Sequence, residues 1–207
     1  MSPETVEALF TRGDGRYAFA RWGRPIVPVV FGVTEESLGV FKGACEAVVA
    51  MAGHKMAETD PELGANFMIF FVQSWDELAE TPNLDRLVPD LDGVVARLQG
   101  SNANQYRFFR FDPDGSIKAC FTFLRMDRDM QKQSADVIAL GQIVQGIVLW
   151  SDQAFAERSP LALTPEGVTV LRPDVADVIR AAYDPVMPVA AEDASHALRL
   201  AARLGAA

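Results

Sequence analysis

Histidine and cysteine are nearly missing from this chain of 207 residues. The two histidines, His54 and His196, are too few for a three-histidine metal site built from one copy. Each reads as an ordinary surface or boundary residue. The two cysteines, Cys45 and Cys120, form no C-x-x-C pair and no closely spaced disulfide framework; both sit in apolar patterns, so reduced and buried thiols are expected. No apolar run approaches the roughly 18 to 20 residues that cross a bilayer, the longest being FMIFFV and GIVLW. Basic residues are outnumbered, 19 against 28 acidic, and a net charge of -9 repels phosphate backbones, which argues against nucleic acid as a partner. A glycine-rich phosphate loop and a G-x-S-x-G elbow are absent as well. The acidic clusters ETDPEL, DLD and MDRDM lack the spacing of a calcium loop and read as solvated turns. The opening MSPETVEALF has no basic segment followed by an apolar core. The expectation is a cytoplasmic protein as the sequence stands, or a periplasmic or secreted one if a leader has been removed.

What is present is the composition of a folded domain, 49% hydrophobic and 23% charged. At this length folding removes roughly 70% of the extended surface from water, so a core forms without a disulfide, metal or cofactor. After a polar lead-in, PIVPVVFGV has the content of a strand that Pro28 confines to an edge. Thr34 is placed to cap a helix whose core face carries Leu38, Phe41, Cys45, Val48, Val49 and Ala52 until Gly53. ANFMIFFV is short and apolar throughout, as a central strand covered on both faces is. Ser74 and Glu77 in SWDE suggest a capping box, and short helices follow, the last ending at Gly100. QYRFFRF and SIKACFTFL, joined by DPDG, read as a hairpin with Ile117, Ala119, Phe121 and Phe123 on one face. A buried helix starts after Ser134. A loop with at most one short strand leads to a helix from Pro173 and a second over 190–204. The predicted class is α+β, one domain over 1–207, with a sheet lobe at about 20–133 and the buried helix and a smaller, mostly helical lobe at about 134–207.

The buried helix carries whatever chemistry there is. Its text, ALGQIVQGIVLWSD (139–152), has glutamines and glycine where zinc hydrolases carry H-E-x-x-H, a pattern that sets two ligands one turn apart with a water-activating glutamate between them. Gln142 and Gln145 lie on an apolar helix, where an unpaired amide costs about 1 to 3 kcal/mol, so they need partners: loop backbone, or the lining of a polar cleft.

The segments QGIVLWSD and SPLALTPEGVTVLRPDVADVIRAAYDP, with RWGRPIVPVVFG and ANFMIFFV earlier, resemble a family of bacterial proteins, many with secretion or lipoprotein signals, whose core is similar to a metzincin-type zincin. The resemblance rests on Gln145, Asp152, Tyr183, Asp184 and Pro185 and extends from about residue 21 to 204. It implies a zincin-like mixed sheet with packed helices, yet the metal motif is degenerate. Gly141 supplies no ligand, Gln142 no base, and the third-ligand position falls on Ser151, beside Asp152. Met187 stands where a metzincin's methionine turn would be, or is a core filler. The expected function is therefore noncatalytic binding or a structural role, with no metal and no cofactor. The candidate cleft residues are Gln142, Gln145, Asp152 and Tyr183, and the ligand is a small molecule or peptide held between the lobes. The alternative is a peptidase-like hydrolase acting through those same unfamiliar residues.

Overall fold

A computed structural model describes residues 1–204. In chain order the elements are α1 (Pro3–Ala8), β1 (Phe19–Ala20), β2 (Pro28–Phe31), α2 (Glu35–Met51), β3 (Phe67–Val72), α3 (Asp76–Glu80), α4 (Leu84–Leu87), α5 (Leu91–Gly100), β4 (Gln105–Phe111), β5 (Ile117–Arg125), α6 (Ala135–Gly146), β6 (Leu161–Leu163), β7 (Thr169–Leu171), α7 (Pro173–Ala182), β8 (Ala190–Ala191) and α8 (Ser195–Ala201). The class is α+β. No helix among the described residues is long and apolar enough to cross a membrane.

The main sheet has the order β2-β3-β5-β4. The first three strands run parallel, and β4 returns antiparallel at the edge through the DPDG turn. Pro28 lies on the other edge, where its missing N–H costs no ladder bond. β3 is central, and its near-continuous apolar text follows from having helices on both faces. Ala119, Phe121 and Phe123 of β5 share a core with Leu78, Val94 and neighbouring residues of α3 to α5. Cys120 and Leu124 point to the opposite face, into the larger core. Ile117 departs from the expected alternation and joins that larger core, next to a register shift between Arg110 and Phe111. The larger core also crosses the expected division of the chain, packing Trp22, Ile26 and Phe67 with Ile143, Val148 and Ile179.

Several local expectations are met and others corrected. The Thr34 hydroxyl accepts from Ser37 N at 3.3 Å, and Gly53, at φ 67°, turns the chain away after α2. Phe41, Cys45, Val48, Val49 and Ala52 are buried, whereas Leu38, in the first turn, is 44% exposed. Both cysteines are free and buried. The capping box is half formed. Glu77 accepts from Gln73 N and Ser74 N, but the helix begins at Asp76, one residue too late for the Ser74 hydroxyl to reciprocate. Ser134 precedes α6 with extended backbone and no side-chain capping bond. The connection after 152 contains a hairpin, β6 with β7, not a single strand, because Gly167 adopts φ 82° in the turn. The final helix is shorter than 190–204, because Ala190 and Ala191 pair with β1 instead. Gly205, the expected stop signal, lies outside the described residues.

The largest correction concerns the lead-in. Ser2 caps α1, Pro3 occupies its first turn, and Val6 and Phe10 are fully buried in the larger core with Ala197 and Leu200 of α8. This cover makes His196 a core residue, 3% exposed, rather than a boundary one. Its Nδ1 lies 2.7 Å from the Tyr17 hydroxyl, while its Nε2 is buried without a partner among the described residues. Burial, reinforced by the nearby Arg199 charge, pushes the imidazole pKa down to about 4.

Acid sensitivity follows. Between the ordinary value near 6.5 and about 4, the unfolded chain binds a proton at His196 that the folded chain refuses. Stability is therefore lost as pH falls through that window, by about 3 kcal/mol at most. A second loss follows below pH 4 from Asp60. Burial alone would raise its pKa, but backbone donors Leu63 and Glu62, the Asn66 amide and Arg24 hold it at about 2. Denaturant midpoints measured from pH 8 to 2 check this. In His196→Gln the decline between pH 6.5 and 4 is expected to become shallower, the remainder coming from His54, whose pKa burial also lowers, while the Asp60 limb remains.

Candidate functional site

The site is built around the C-terminal half of α6. A helix leaves its last carbonyls without internal donors; here Trp150 Nε1 donates to Val144 O at 2.8 Å and Trp22 Nε1 to Gly146 O at 2.9 Å. The Tyr183 hydroxyl donates to Ile147 O at 2.7 Å and accepts from Trp22 N at 3.4 Å. These three side chains fix the end of the helix. The placement corrects one expectation: Tyr183 is a buried clamp on the helix terminus, lies under the Arg21 guanidinium at 5.4 Å, and lines neither cavity beside α6. Met187, also buried, presents its carbonyl to Arg21.

The other three candidates border open space. Gln142 and Gln145 face a small polar cavity of about 170 Å³, together with Gln105, Asn104 and Gln133. Gln145 also faces a cleft of about 610 Å³, which Asp152 borders from the segment following α6. Phe109 and Phe111 of β4 form one apolar wall of the cleft, and Leu149, Trp150 and Phe155 the other. Asp152 is held by Gly13 N at 3.0 Å and Gln153 Nε2 at 2.9 Å; these bonds, that of Gln153 first, lower its pKa. Ser151, at the position of a third zincin ligand, is turned inward, its hydroxyl donating to Thr11 O at 2.6 Å.

Between the glutamines and the cleft lies a residue that sequence reasoning missed. Arg107 of β4 stands opposite Thr122 in the ladder and donates from Nε to the Thr122 hydroxyl at 3.1 Å. Its Nη1 donates to Gln145 Oε1 at 3.3 Å and its Nη2 to Gln142 Oε1. Gln142 completes the network by donating to Gln105 Oε1 at 3.3 Å. The partners demanded by the buried amides are therefore side chains of the edge strand, not loop backbone. Arg107 has no carboxylate partner among the described residues, and burial lowers its pKa from the ordinary arginine value. The signal for it was in the sequence: in QYRFFRF, the residues at 105, 107, 109 and 111 share a strand face, which puts one cation among aromatics.

The donor set does not fit a zinc ion. Gly141 offers nothing, Gln142 and Gln145 offer neutral amides, and a guanidinium already occupies their carbonyl oxygens. No group of three or more His, Cys, Asp or Glu side chains is placed to hold a metal among the described residues. Both histidines are engaged elsewhere, His54 Nε2 with Arg24 O at 2.9 Å and His196 with Tyr17. Comparison with protein-family models, with curated proteins and with solved structures finds no match.

Proposed function

We propose that this is a noncatalytic binding protein on a degenerate zincin-like scaffold, holding a small molecule in the cleft between β4 and the chain that follows α6. The observation that carries the reading is Arg107, a cation with only neutral partners, lining a cleft of about 610 Å³, a size within the usual range for small-molecule sites. The zincin-like part of the reading is supported by arrangement. Three parallel strands end in an antiparallel edge strand, and the helix after the hairpin turns its 142 and 145 positions toward that edge. Of the three positions that carry ligands and base in H-E-x-x-H, the first is Gly141 and the other two, 142 and 145, carry hydrogen-bonded amides, which supports binding without hydrolysis.

One observation favours a peptide as a second reading: β4 is an edge strand, and an extended chain can add to such an edge through backbone hydrogen bonds. A thermal-shift screen of small molecules and of short peptides separates the two. Compounds that occupy the cleft are expected to raise the melting temperature of the native protein but not of Ala156→Trp, whose new side chain fills the cleft from an exposed position. Shifts that persist in Ala156→Trp, or shifts from peptides alone, overturn the small-molecule reading.

A further inference from the structure

From the charges and walls of this cleft we infer that its ligand is a small monocarboxylic acid with an apolar or aromatic body, anchored by Arg107. The inference rests on the cleft being a binding site and adds what the site selects.

A guanidinium has five N–H groups. Arg107 commits three, to Thr122, Gln145 and Gln142, and the Cys120 thiol beside it is only a weak sulfur acceptor, which leaves at least one N–H without an oxygen or nitrogen acceptor among the described residues. Its three partners are neutral, so they orient the fork without cancelling its charge. Gln145 gives its carbonyl to Arg107, and its amide N–H₂ has no partner among the described residues at the junction of the two cavities. Planar N–H donors beside one another match the two oxygens of a carboxylate.

The charge count selects a monoanion. Arg12 also borders the cleft and makes no ion pair among the described residues, while Asp152 is the one acidic residue on its wall. Two cations against one carboxylate leave a single positive charge. A dianion such as phosphate would face Asp152 within a protein of net charge -9. The walls select the rest of the ligand. Trp150 and Phe155 meet edge to face with ring centroids 5.1 Å apart, and Phe109 and Phe111 oppose them across the cleft. Such surfaces bind an apolar body and leave the polar contacts to fix its head.

The test is calorimetric titration at pH 7.5 of acetate, phenylacetate and 4-phenylbutyrate, each beside its primary amide. Affinity is expected to rise with the size of the apolar body, and each amide is expected to bind about tenfold or more weakly than its acid. Arg107→Met is expected to lose about the same factor and Arg107→Lys less, since a point charge keeps the attraction but not the fork. Ala156→Trp locates the event by abolishing it. The acid and amide comparison uses the unaltered protein, so the outcome does not depend on any variant folding. Equal affinity of acids and amides, or Arg107→Met binding phenylbutyrate as the parent does, overturns the inference. Should only neutral compounds bind in a manner sensitive to Ala156→Trp, the carboxylate inference fails and the binding-protein reading stands. Should nothing bind in the cleft, both fail.

Discussion

Replacing Gly146 by alanine is expected to lower the melting temperature by roughly 6 to 12 °C, the effect of about 3 kcal/mol of overpacking in a protein of this size. A Cβ at this position would stand 2.3 Å from Phe67 Cζ and 3.0 Å from both adjacent ring carbons. Phe67 is fully buried and its ring packs against Trp22 at a centroid distance of 5.8 Å, so it has no free direction in which to move. Trp22 in turn donates to Gly146 O, so any shift of the ring disturbs the bond that fixes the helix end. Gly141, five residues earlier on the same helix, behaves oppositely. Its Cβ would meet only Leu161 Cδ1, at 3.7 Å, an ordinary contact. Gly141→Ala is therefore expected to stabilise the protein by about 0.5 to 1 kcal/mol through helix propensity alone. Thermal denaturation of the two variants checks the pair; equal effects would mean that α6 packs differently against β3.

A second large effect is expected from restoring the metal motif. Gly141→His, Gln142→Glu and Gln145→His together put two imidazoles one turn apart, with Asp152, on the cleft that position 145 also faces, as a third donor. From the sequence alone that triple variant is expected to bind zinc. The structure changes the expectation, because the Arg107 guanidinium already sits on the side chains at 142 and 145. A new glutamate at 142 would pair with it, and its charge would oppose a second cation at the same place. Zinc binding is therefore expected to be weak in the triple variant and about a hundredfold tighter once Arg107→Met is added. Competition against a colorimetric chelator measures both. Tight binding by the triple variant would refute the block by Arg107, whereas no binding by the quadruple one would sink the zincin register of this helix.

Elements whose text has a single solution were legible in the sequence. ANFMIFFV is too short and too apolar for anything but a covered strand, DPDG sets its hairpin, and Thr34 and Gly53 bracket a helix whose core face repeats at the right spacing. The small elements at the two ends were not. α1 has six residues and β1 and β8 two each, too few for a period to show, and their apolar residues find a face only in one another. The candidate site was half legible. The burial of Gln142 and partial burial of Gln145 required partners, and partners exist; but Arg107 is 35 residues away from Gln142 in the chain, and pairing them takes the register of β4 against β5 and the seat of α6. Tyr183 was misplaced because the tripeptide Tyr-Asp-Pro says where the chain turns, not which carbonyl a phenol will reach.

The contact between α1 and α8 ties the order of synthesis to the order of folding. Residues 3–20 are made before the surfaces that cover them, which lie on α8 and β8. Until α8 and β8 have been made, Val6, Phe10 and Phe19 lack part of their cover and are open to chaperones. Joining α1 and β1 to α8 and β8 is thus a long-range closure, the kind of contact whose chain search slows folding.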